Sequence, residues 1–446
     1  MSKVLVLGAG FVAGPFLRAM LERDEVRVRI GDLEPDKAAV LAGSHPRASF
    51  FGLDLRDEAA LDAEIASADV VASLVPYAFH PVVARACLRR GKNMVTASYA
   101  SDAMRALDGE ARKAGITILN EMGLDPGIDH MEAMRLIHGV QASGGTVLGF
   151  TSYCGGLPSP EANNNPFGYK FSWSPRGVLL AGTNDARYLK DGREIHVPGA
   201  VLFDHYELLD VPGLGLFEAY PNRNSLPYLG IYGIPGARTM YRGTFRYPGW
   251  CRTMKAIAAL GYLSQEDRLL AGWSARDLIL ALAEAPAGTE PRAAAAARLK
   301  MDRGSDVFDR MAWLGLFDDV SIGVEHASPL EALERLMLRR LRYEPGERDM
   351  ILLQHVIDAR TEKGREIRIT STLVDRGIPG GDSSMSRTVG LPAAAGARLL
   401  LDGRLAGRGV VIPVWPEIYE PVLADLARRG IAFREERQER TAGPAR

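Results

Sequence analysis

Short apolar, β-branched runs alternate with amphipathic segments along the first third of the chain. Six such runs recur at near-regular intervals, at residues 4–7, 26–30, 49–53, 70–74, 93–97 and 116–119. The segments between them, such as 11–22 and 81–90, place apolar residues at helical spacing. Continuous apolar strands separated by helices are typical of a parallel sheet covered on both faces, because right-handed crossovers place the helices there. The pattern predicts a doubly wound α/β domain.

Beyond residue 127 the pattern changes. Residues 146–250 are rich in glycine, proline, tyrosine and tryptophan, whereas residues 264–342 are rich in alanine, leucine and arginine. The predicted elements are strands at 147–153, 242–246, 350–359 and 366–374, helices at 275–285, 291–300 and 330–342, and a helix–strand–helix stretch at 391–429. The composition of that last stretch suits packing on the first domain.

These patterns predict an insertion topology. The expected fold class is α/β, a Rossmann-type doubly wound parallel sheet with an inserted α+β substrate domain and a small helical subdomain. The predicted domains are a dinucleotide-binding domain at 1–127 plus 391–446, a mixed-sheet substrate and dimerisation domain at 128–262 plus 343–390, and the helical subdomain at 263–342.

Composition narrows the classes of function. The 446 residues include 54 Lys and Arg against 55 Asp and Glu, which gives a net charge of −1. That balance lacks the basic surplus that holds nucleic acid or a polybasic membrane anchor. No apolar stretch is long enough for a membrane span, and glycines interrupt the apolar start of the chain, so we expect neither a membrane protein nor a targeting segment. Three widely spaced cysteines suit a reducing compartment, and we expect a cytoplasmic protein.

A glycine-rich loop joins the first predicted strand to the first helix. Its sequence, Gly8-Ala9-Gly10-Phe11-Val12-Ala13-Gly14, fits the G-x-G-x-x-A form of the dinucleotide fingerprint. In that motif Gly8 allows the tight turn, Gly10 lets the pyrophosphate approach the backbone, and Ala13 permits close helix–strand packing. The N–H groups of the helix N-terminus then face the phosphates. Because the motif opens a complete βαβ series, it predicts nucleotide binding rather than a packing turn.

Asp32 follows the second strand, 24 residues after Gly8. An acid at this place accepts hydrogen bonds from the adenosine ribose and repels a 2′-phosphate, which favours NAD over NADP. Arg27 and Arg29 precede it on the strand, so NADP stays possible. A solvated acidic turn is the alternative interpretation of Asp32.

Loops at the other strand ends supply further candidates, because ligands of such sheets lie outside the carboxyl ends of the strands. They are Asp54 and Leu55 after the third strand, Val75, Pro76 and Tyr77 after the fourth, Ala97, Ser98 and Tyr99 after the fifth, and Leu124, Asp125 and Pro126 after the sixth. Pro126 biases Asp125 toward an extended backbone. The alternative for this last loop is a plain turn followed by a helix cap at Asp129.

The second domain offers a cysteine and two arginines. Cys154 ends a strand that turns into a glycine loop, and it is either a buried small residue or a weak acid in the site. Arg223 and Arg246 lie on glycine- and aromatic-rich segments, and arginine forks bind carboxylates bidentately. They suggest a substrate with more than one carboxylate, with surface arginines as the alternative. The histidines and cysteines show no metal-ligand spacing, so no metal is expected.

Several long motifs resemble those of the saccharopine dehydrogenase family of the L-glutamate-forming type, also called saccharopine reductases. They are residues 123–130 (GLDPGIDH), 152–158 (SYCGGLP), 169–175 (YKFSWSP), 220–223 (YPNR) and 242–244 (RGT). The likeness runs from the first strand to near residue 401. It implies reversible NAD(P)-linked oxidation of the secondary amine of saccharopine to L-glutamate and L-α-aminoadipate 6-semialdehyde in lysine metabolism, in a homodimer.

The resemblance also implies roles for individual residues. Substrate contacts would come from Ser98, Tyr99, Asp125, Arg223, Thr244, Phe245 and Arg246. Val75, Pro76, Tyr77, Leu124 and Ser174 would join the glycine loop around the cofactor. The candidates for proton transfer are Asp125, Tyr99 and Cys154, which the sequence does not rank.

Two other functions stay open at this point. The first is a related opine- or polyamine-forming dehydrogenase, such as a carboxynorspermidine type, for which Arg223 or Arg246 would be dispensable. The second is a non-catalytic sensor that binds NAD(H) through the glycine loop and regulates a partner. The sensor gives no reason for the arginine and cysteine loops.

Overall fold

The computed structural model describes residues 1–439, so the end of the predicted stretch 391–446 lies outside the described residues. The chain divides into two units, and we describe each by itself. The first comprises Met1–Val147, Ala359–Ile367 and the residues from Ser371 onward, and the second comprises Leu148–Asp358 and Arg368–Thr370.

The first unit begins with six parallel strands. They are β1 (Ser2–Leu7), β2 (Val26–Asp32), β3 (Ala48–Gly52), β4 (Val70–Ser73), β5 (Asn93–Val95) and β6 (Thr117–Leu119). Their order is β6-β5-β4-β1-β2-β3, which is the order of a doubly wound dinucleotide-binding sheet. The helices between and after them are α1 (Ala13–Leu21), α2 (Pro35–Ala42), α3 (Glu58–Ala66), α4 (His80–Arg90), α5 (Asp102–Arg105), α6 (Asp108–Ala114) and α7 (Ile128–Ala142). All six predicted strands are confirmed.

The second unit is built on a mixed sheet. Its strands are β7 (Thr146–Pro158, of which Thr146 and Val147 count with the first unit), β8 (Ala186–Lys190), β9 (Arg193–Val197), β10 (Glu207–Val211), β11 (Gly215–Pro221), β12 (Thr239–Arg246), β13 (Arg268–Leu269), β14 (His326–Ala327) and β15 (Asp349–Arg360, of which Ala359 and Arg360 count with the first unit). Of the next strand, β16 (Glu366–Arg376), only Arg368–Thr370 count with the second unit. The strand order of this sheet is β10-β11-β12-β7-β15-β16, followed by β18 (Phe433–Glu439) of the first unit, with β8 and β9 attached through β12. Strands β13 and β14 form a separate pair. Strand β12 is parallel to β7 and antiparallel to β11.

Seven described helices belong to this unit. They are α8 (Pro175–Ala181), α9 (Tyr228–Ile231), α10 (Trp250–Ala259), α11 (Ala275–Leu282), α12 (Pro291–Leu299), α13 (Asp306–Trp313) and α14 (Pro329–Arg340). Capping boxes start α11, at Ser274 and Asp277, and α14, at Ser328 and Glu331. The helical character predicted for 264–342 is therefore confirmed. None of the described helices has the length and apolar character that crossing a membrane requires.

The chain then returns to the first unit through α15 (Ser384–Leu401), β17 (Gly409–Val411), α16 (Pro416–Arg428) and β18 (Phe433–Glu439). Strand β17 joins the parallel sheet beside β6, where Val411 pairs with Leu119. Helix α15 packs so closely that a Cβ on Gly390 would lie 2.4 Å from the carbonyl oxygen of Val12. The exact domain boundaries drawn from the sequence stay a prediction.

Candidate functional site

The predicted ligand residues of the first unit follow the carboxyl ends of parallel strands. The glycine loop follows β1, Asp32 ends β2, and the loops after β4, β5 and β6 carry Val75, Tyr99 and Asp125. Parallel strands end at one edge of a sheet, which is where ligands of doubly wound sheets bind.

The glycine loop is shaped by its neighbours. Gly8 has φ +100°, and a Cβ there would lie 2.7 Å from the carbonyl oxygen of Leu74, so only glycine fits without displacing the backbone. A Cβ on Gly10 would meet nothing within 4 Å, and Ala13 is completely buried. Gly10 is therefore open to an approaching group while Ala13 provides the close helix packing, as the fingerprint requires.

Asp32 holds the turn beside this loop. One carboxylate oxygen accepts a hydrogen bond from the Ala9 N–H at 2.7 Å, and the other accepts from the Glu34 N–H at 2.9 Å. Arg29 donates twice to Glu64, at 2.7 Å each, and stacks on Phe51, so its charge is compensated locally. Asp32 thus faces the glycine loop.

The other cofactor candidates differ in what they offer. Phe11 and Tyr77 are 85% and 77% exposed, so both rings are open to a ligand. Asp54 accepts hydrogen bonds from Arg56, which hold the pKa of that carboxyl below its usual value. Leu55 packs against the core instead. Asp54 and Leu55 therefore already contact neighbouring protein residues, and their role at the cofactor stays a prediction.

The loops after β5 and β6 meet at Tyr99 and Asp125. The Tyr99 hydroxyl donates to Oδ1 of Asp125 at 2.8 Å, and both residues are half-buried. A Cβ on Gly123 would lie 3.2 Å from the Cβ of Ala97, so glycine permits this approach. The turn that carries Asp125 and Pro126 also contains the hydrogen bond from the Gly127 N–H to Asp129, at 2.6 Å. Asp129 is not the helix cap that the sequence suggested, because α7 begins at Ile128 with Gly127 at its N-cap position, so Asp129 lies inside the first turn. The ligand role of Asp125 stays a prediction.

A buried acid underlies this pair, which the sequence interpretation missed. One Glu121 oxygen accepts from the Ala100 N–H at 2.9 Å, and the other lies 2.8 Å from Nε2 of His130. Burial alone would raise the pKa of Glu121, but the hydrogen bond and charge of His130 outweigh burial and lower it. Glu121 thereby links the Tyr99 loop to α7. The only sequence signal was a polar pair in an otherwise apolar stretch.

His80 is a second residue that the sequence interpretation missed. It is 3% exposed, and its ring nitrogens lie 2.8 Å from Oγ of Ser73 and 2.7 Å from Oγ of Ser98. Ser98 is a predicted substrate residue, and its hydroxyl is hydrogen-bonded to the buried ring of His80.

In the second unit, the candidates Cys154 and Thr244 lie side by side on the mixed sheet, and Arg246 lies two residues further along the strand of Thr244. Thr244 pairs with Cys154 of β7 on one side and with Tyr220 of β11 on the other. Because side chains alternate along a strand, Arg242 and Arg246 share the face of Thr244. Cys154 is 8% exposed and buried in this row.

Arg246 is a buried guanidinium. It is 4% exposed, and its Cζ lies 5.1 Å from the Tyr169 ring, 5.9 Å from Tyr220 and 5.4 Å from Trp250. Its Nη1 donates to the Phe245 carbonyl at 2.7 Å. Within the described residues no carboxylate lies at ion-pair distance, and Nε of Arg246 and Nε1 of Trp250 have no hydrogen-bond partner.

Glu218 is the acid that pairs with Arg246 across β11 and β12. Its two oxygens accept from the N–H groups of Gly249 and Cys251, at 2.7 Å each, at the start of α10. Both oxygens of Glu218 therefore accept from backbone N–H groups rather than from the guanidinium of Arg246.

Three further candidates, whose ligand roles stay predictions, have structural surroundings that the sequence did not indicate. Phe245 is completely buried on the opposite face from Arg246, against Tyr153, so only its backbone is available to a ligand on the arginine face. The side chain of Ser174 accepts from the Gly177 N–H and starts α8. Arg223 is exposed on the loop after β11, two residues beyond the last residue of that strand, whereas Arg246 lies opposite Glu218 within it. The two arginines are therefore not adjacent.

No group of three or more His, Cys, Asp or Glu side chains in residues 1–439 is placed to hold a metal ion. The three cysteines in this part of the chain are buried and form no disulfide.

Comparison with known proteins adds the family. The family model described as the saccharopine dehydrogenase NADP binding domain matches residues 4–119, and the saccharopine dehydrogenase C-terminal domain matches residues 123–431. The chain belongs to the saccharopine dehydrogenase family. Its first unit therefore carries a nicotinamide-nucleotide-binding domain with the Rossmann-type fold that the sequence predicts.

Full-length relatives agree with this assignment. The chain is 38% identical to the saccharopine dehydrogenase (NADP(+), L-glutamate-forming) of Pyricularia oryzae and 40% identical to that of Saccharomyces cerevisiae, and each comparison covers 97% of this chain and 98% of the relative. It is 37% identical to the mitochondrial alpha-aminoadipic semialdehyde synthase of Bos taurus, of which it spans 47%. The solved apo structure of the histidine-tagged yeast saccharopine dehydrogenase (L-Glu forming) aligns with a TM-score of 0.90 over 98% of this chain and 100% of that one, at 38% identity.

Proposed function

We propose that this chain is an L-glutamate-forming saccharopine dehydrogenase. It oxidises the secondary amine of saccharopine to an imine with NAD(P)+, and water then hydrolyses the imine to L-glutamate and L-α-aminoadipate 6-semialdehyde. The observation that carries the proposal is Arg246, whose buried guanidinium has no carboxylate partner in the described residues. Saccharopine has three carboxylates, one of which would complete this charge. The end-to-end similarity to relatives that bear this name supports the same conclusion.

The residues of the first unit fit a dinucleotide. The backbone from Gly8 to Val12 would hold the pyrophosphate, since Gly10 is open and α1 begins at Ala13. When bound, the nicotinamide supplies the hydride acceptor for the carbon next to the secondary amine. Asp32 would hold the adenosine ribose.

Tyr99 and Asp125 are the proposed proton-handling pair. The secondary amine must lose its proton before its lone pair can assist the oxidation, and a positioned carboxylate serves that need. The Asp125 carboxylate, whose Oδ1 accepts from the Tyr99 hydroxyl, would take the proton from the amine. Tyr99 keeps the carboxylate in place. Cys154 stays the third candidate for a proton transfer, while Ser98, Thr244 and Arg223 would position the substrate.

For the finer choice of cofactor, we propose that this chain prefers NAD to NADP. The carboxylate of Asp32 would meet a 2′-phosphate with like charge. Glu34 adds a second acid, whose partner Lys37 lies 2.5 Å away. The names of the two fungal relatives specify NADP(+), so the proposal predicts that this chain differs from them in its preferred cofactor. A kcat/KM for NADPH above that for NADH would contradict it, and Asp32→Ser should narrow the difference.

The test of the function is nucleotide reduction at 340 nm with saccharopine and with NAD+ or NADP+. A panel of opines and a carboxynorspermidine-type amine serve as alternative substrates. We expect saccharopine to have the highest kcat/KM. Turnover of a less acidic amine without turnover of saccharopine would overturn the assignment. The polyamine-type alternative is not favoured, since a substrate with fewer carboxylates gives less reason for Arg246.

The homodimer and the cytoplasmic location that the sequence led us to expect stay predictions. Sedimentation of the purified protein tests the first, and fractionation of the cells that make it tests the second.

A further inference from the structure

His80 connects two loops that carry ligand candidates. It is the first residue of α4, and its ring lies between Ser73, the last residue of β4, and Ser98, in the loop after β5. The loop that follows Ser73 carries Val75 and Tyr77. The residue after Ser98 is Tyr99, which donates to Asp125. One imidazole thus bridges the cofactor loop and the substrate loop of the first unit.

The surroundings of the ring are hydroxyls. Nδ1 lies 2.8 Å from Ser73 Oγ, and Nε2 lies 2.7 Å from Ser98 Oγ and 3.3 Å from Thr96 Oγ1. Burial lowers the pKa of His80 to about 4, so the ring is neutral near pH 7. A neutral imidazole has one donor and one acceptor nitrogen, so the hydrogen bond at Ser73 decides the role of Ser98.

This coupling has a consequence for Ser98. When Ser73 donates to Nδ1, Nε2–H donates to Ser98 and leaves the Ser98 proton for a ligand. When Nδ1–H donates to Ser73, the Ser98 hydroxyl donates to Nε2 and keeps its lone pairs for a ligand. In both cases Ser98 Oγ is held at one place, whereas a serine without this partner would rotate among its three rotamers.

We propose that His80 is a positioning residue for the oxidation of saccharopine, which acts by holding the Ser98 hydroxyl and the loop that carries Tyr99. This inference rests on the proposed function. His80 itself performs no proton transfer, because its second nitrogen is occupied by the fully buried Ser73.

Two substitutions separate positioning from simple packing. In His80→Asn the amide nitrogen replaces Nδ1 beside Ser73, but the side chain is too short to reach Ser98. In His80→Gln the longer amide reaches the former place of Nε2. We expect His80→Asn to raise the KM for saccharopine roughly five- to tenfold, the worth of one hydrogen bond. His80→Gln should restore most of the affinity for saccharopine. In both variants the pH profile of kcat should keep the acidic and basic limbs of the wild-type profile.

The decisive comparison is a double-mutant cycle with Ser98→Ala. If His80 acts through Ser98, His80→Asn adds nothing to the KM of Ser98→Ala. If His80→Asn fails to fold, Ser73→Ala can replace it in the cycle. The change in KM that Ser73→Ala causes should then disappear when it is combined with Ser98→Ala. His138→Gln is the matched control, since that histidine also lies 2.8 Å from a hydroxyl, that of Tyr419, in the same unit. We expect no change in KM from it.

The outcomes distinguish the two proposals. Wild-type protein without saccharopine turnover overturns the proposed function and this inference with it. The inference alone is overturned if the wild type turns over saccharopine but the His80 or Ser73 variant changes KM equally with Ser98 present and with Ser98→Ala. Loss of the basic or acidic limb of the pH profile in His80→Gln would make His80 a proton-transfer group and would also overturn it.

Discussion

The Tyr99 hydroxyl donates to Oδ1 of Asp125 at 2.8 Å, although 26 residues separate the two in the chain. They meet because β5 and β6 are parallel neighbours whose loops start at the same edge of the sheet. The hydrogen bond orients the Asp125 carboxylate. A proton acceptor prepared in this way needs little rearrangement when the amine arrives.

Removing the charge of Asp125 should affect turnover more than binding. We expect Asp125→Asn to lower kcat by about 10²–10⁴-fold, the usual worth of a general base. Tyr99→Phe should lower it only about tenfold, because the carboxylate remains and loses one hydrogen bond. Steady-state kinetics with saccharopine check this, with NADH binding by fluorescence as the control. Full kcat/KM in Asp125→Asn would remove Asp125 from the catalytic residues.

Arg246 should determine affinity for the substrate. We expect Arg246→Lys to raise the KM for saccharopine roughly 10–100-fold, because an ammonium cannot reproduce the two parallel hydrogen bonds of a guanidinium. The matched control is Arg368→Lys in the same unit, whose guanidinium already has a partner in Asp358 at 2.8 and 2.9 Å. An unchanged KM in Arg246→Lys would show that no substrate carboxylate binds there.

The two glycines of the nucleotide loop should respond differently to alanine. Gly8→Ala places a Cβ 2.7 Å from a carbonyl oxygen at φ +100°, so we expect it to cost at least about 1–3 kcal/mol of stability. Gly10→Ala meets no atom within 4 Å, so its thermal midpoint should stay near that of the wild type. Its Kd for NAD(P)H should rise roughly tenfold, since the methyl group holds the pyrophosphate off the N–H groups. Equal midpoints, or unchanged binding by Gly10→Ala, would contradict this interpretation.

His80 should make the protein sensitive to acid. In the unfolded chain the pKa of His80 is near 6.5, whereas burial in the folded protein lowers this pKa to about 4. The unfolded state therefore binds more protons in this window, and stability falls as the pH falls, by about 3 kcal/mol at pH 4. Thermal midpoints measured from pH 7 to 4 test this. The thermal midpoint of the wild type should exceed that of His80→Gln by less as the pH falls. The difference in midpoint between the wild type and the control His138→Gln should not show this pH dependence.

Part of the site was predictable from local pattern. The glycine loop and Asp32 form a short-range motif between a strand and a helix, so their places follow from the βαβ series. The burial of Phe245 was predictable too, because the period of two along a strand puts it on the face opposite Thr244 and Arg246. The resemblance assigned it to the substrate without that test.

Other features depend on contacts between distant segments. Ser73 and Ser98 flank His80 only because β4 lies between β1 and β5 and α4 starts above them. Glu121 reaches His130 and the Ala100 N–H across a turn whose path the sequence does not specify. No periodicity in the chain marks such pairs.

The sequence by itself determined the order of the elements, the nucleotide loop and the family, since these depend on hydrophobic period, turn chemistry and short motifs that act over a few residues. Only the tertiary structure decided that Arg246 is buried among Tyr169, Tyr220 and Trp250. It also decided that Glu218, opposite Arg246, binds the backbone of α10 and that His80 contacts Ser98. Burial and charge compensation are sums over residues brought together by strand order, and a linear pattern carries no information on which side chains end as neighbours.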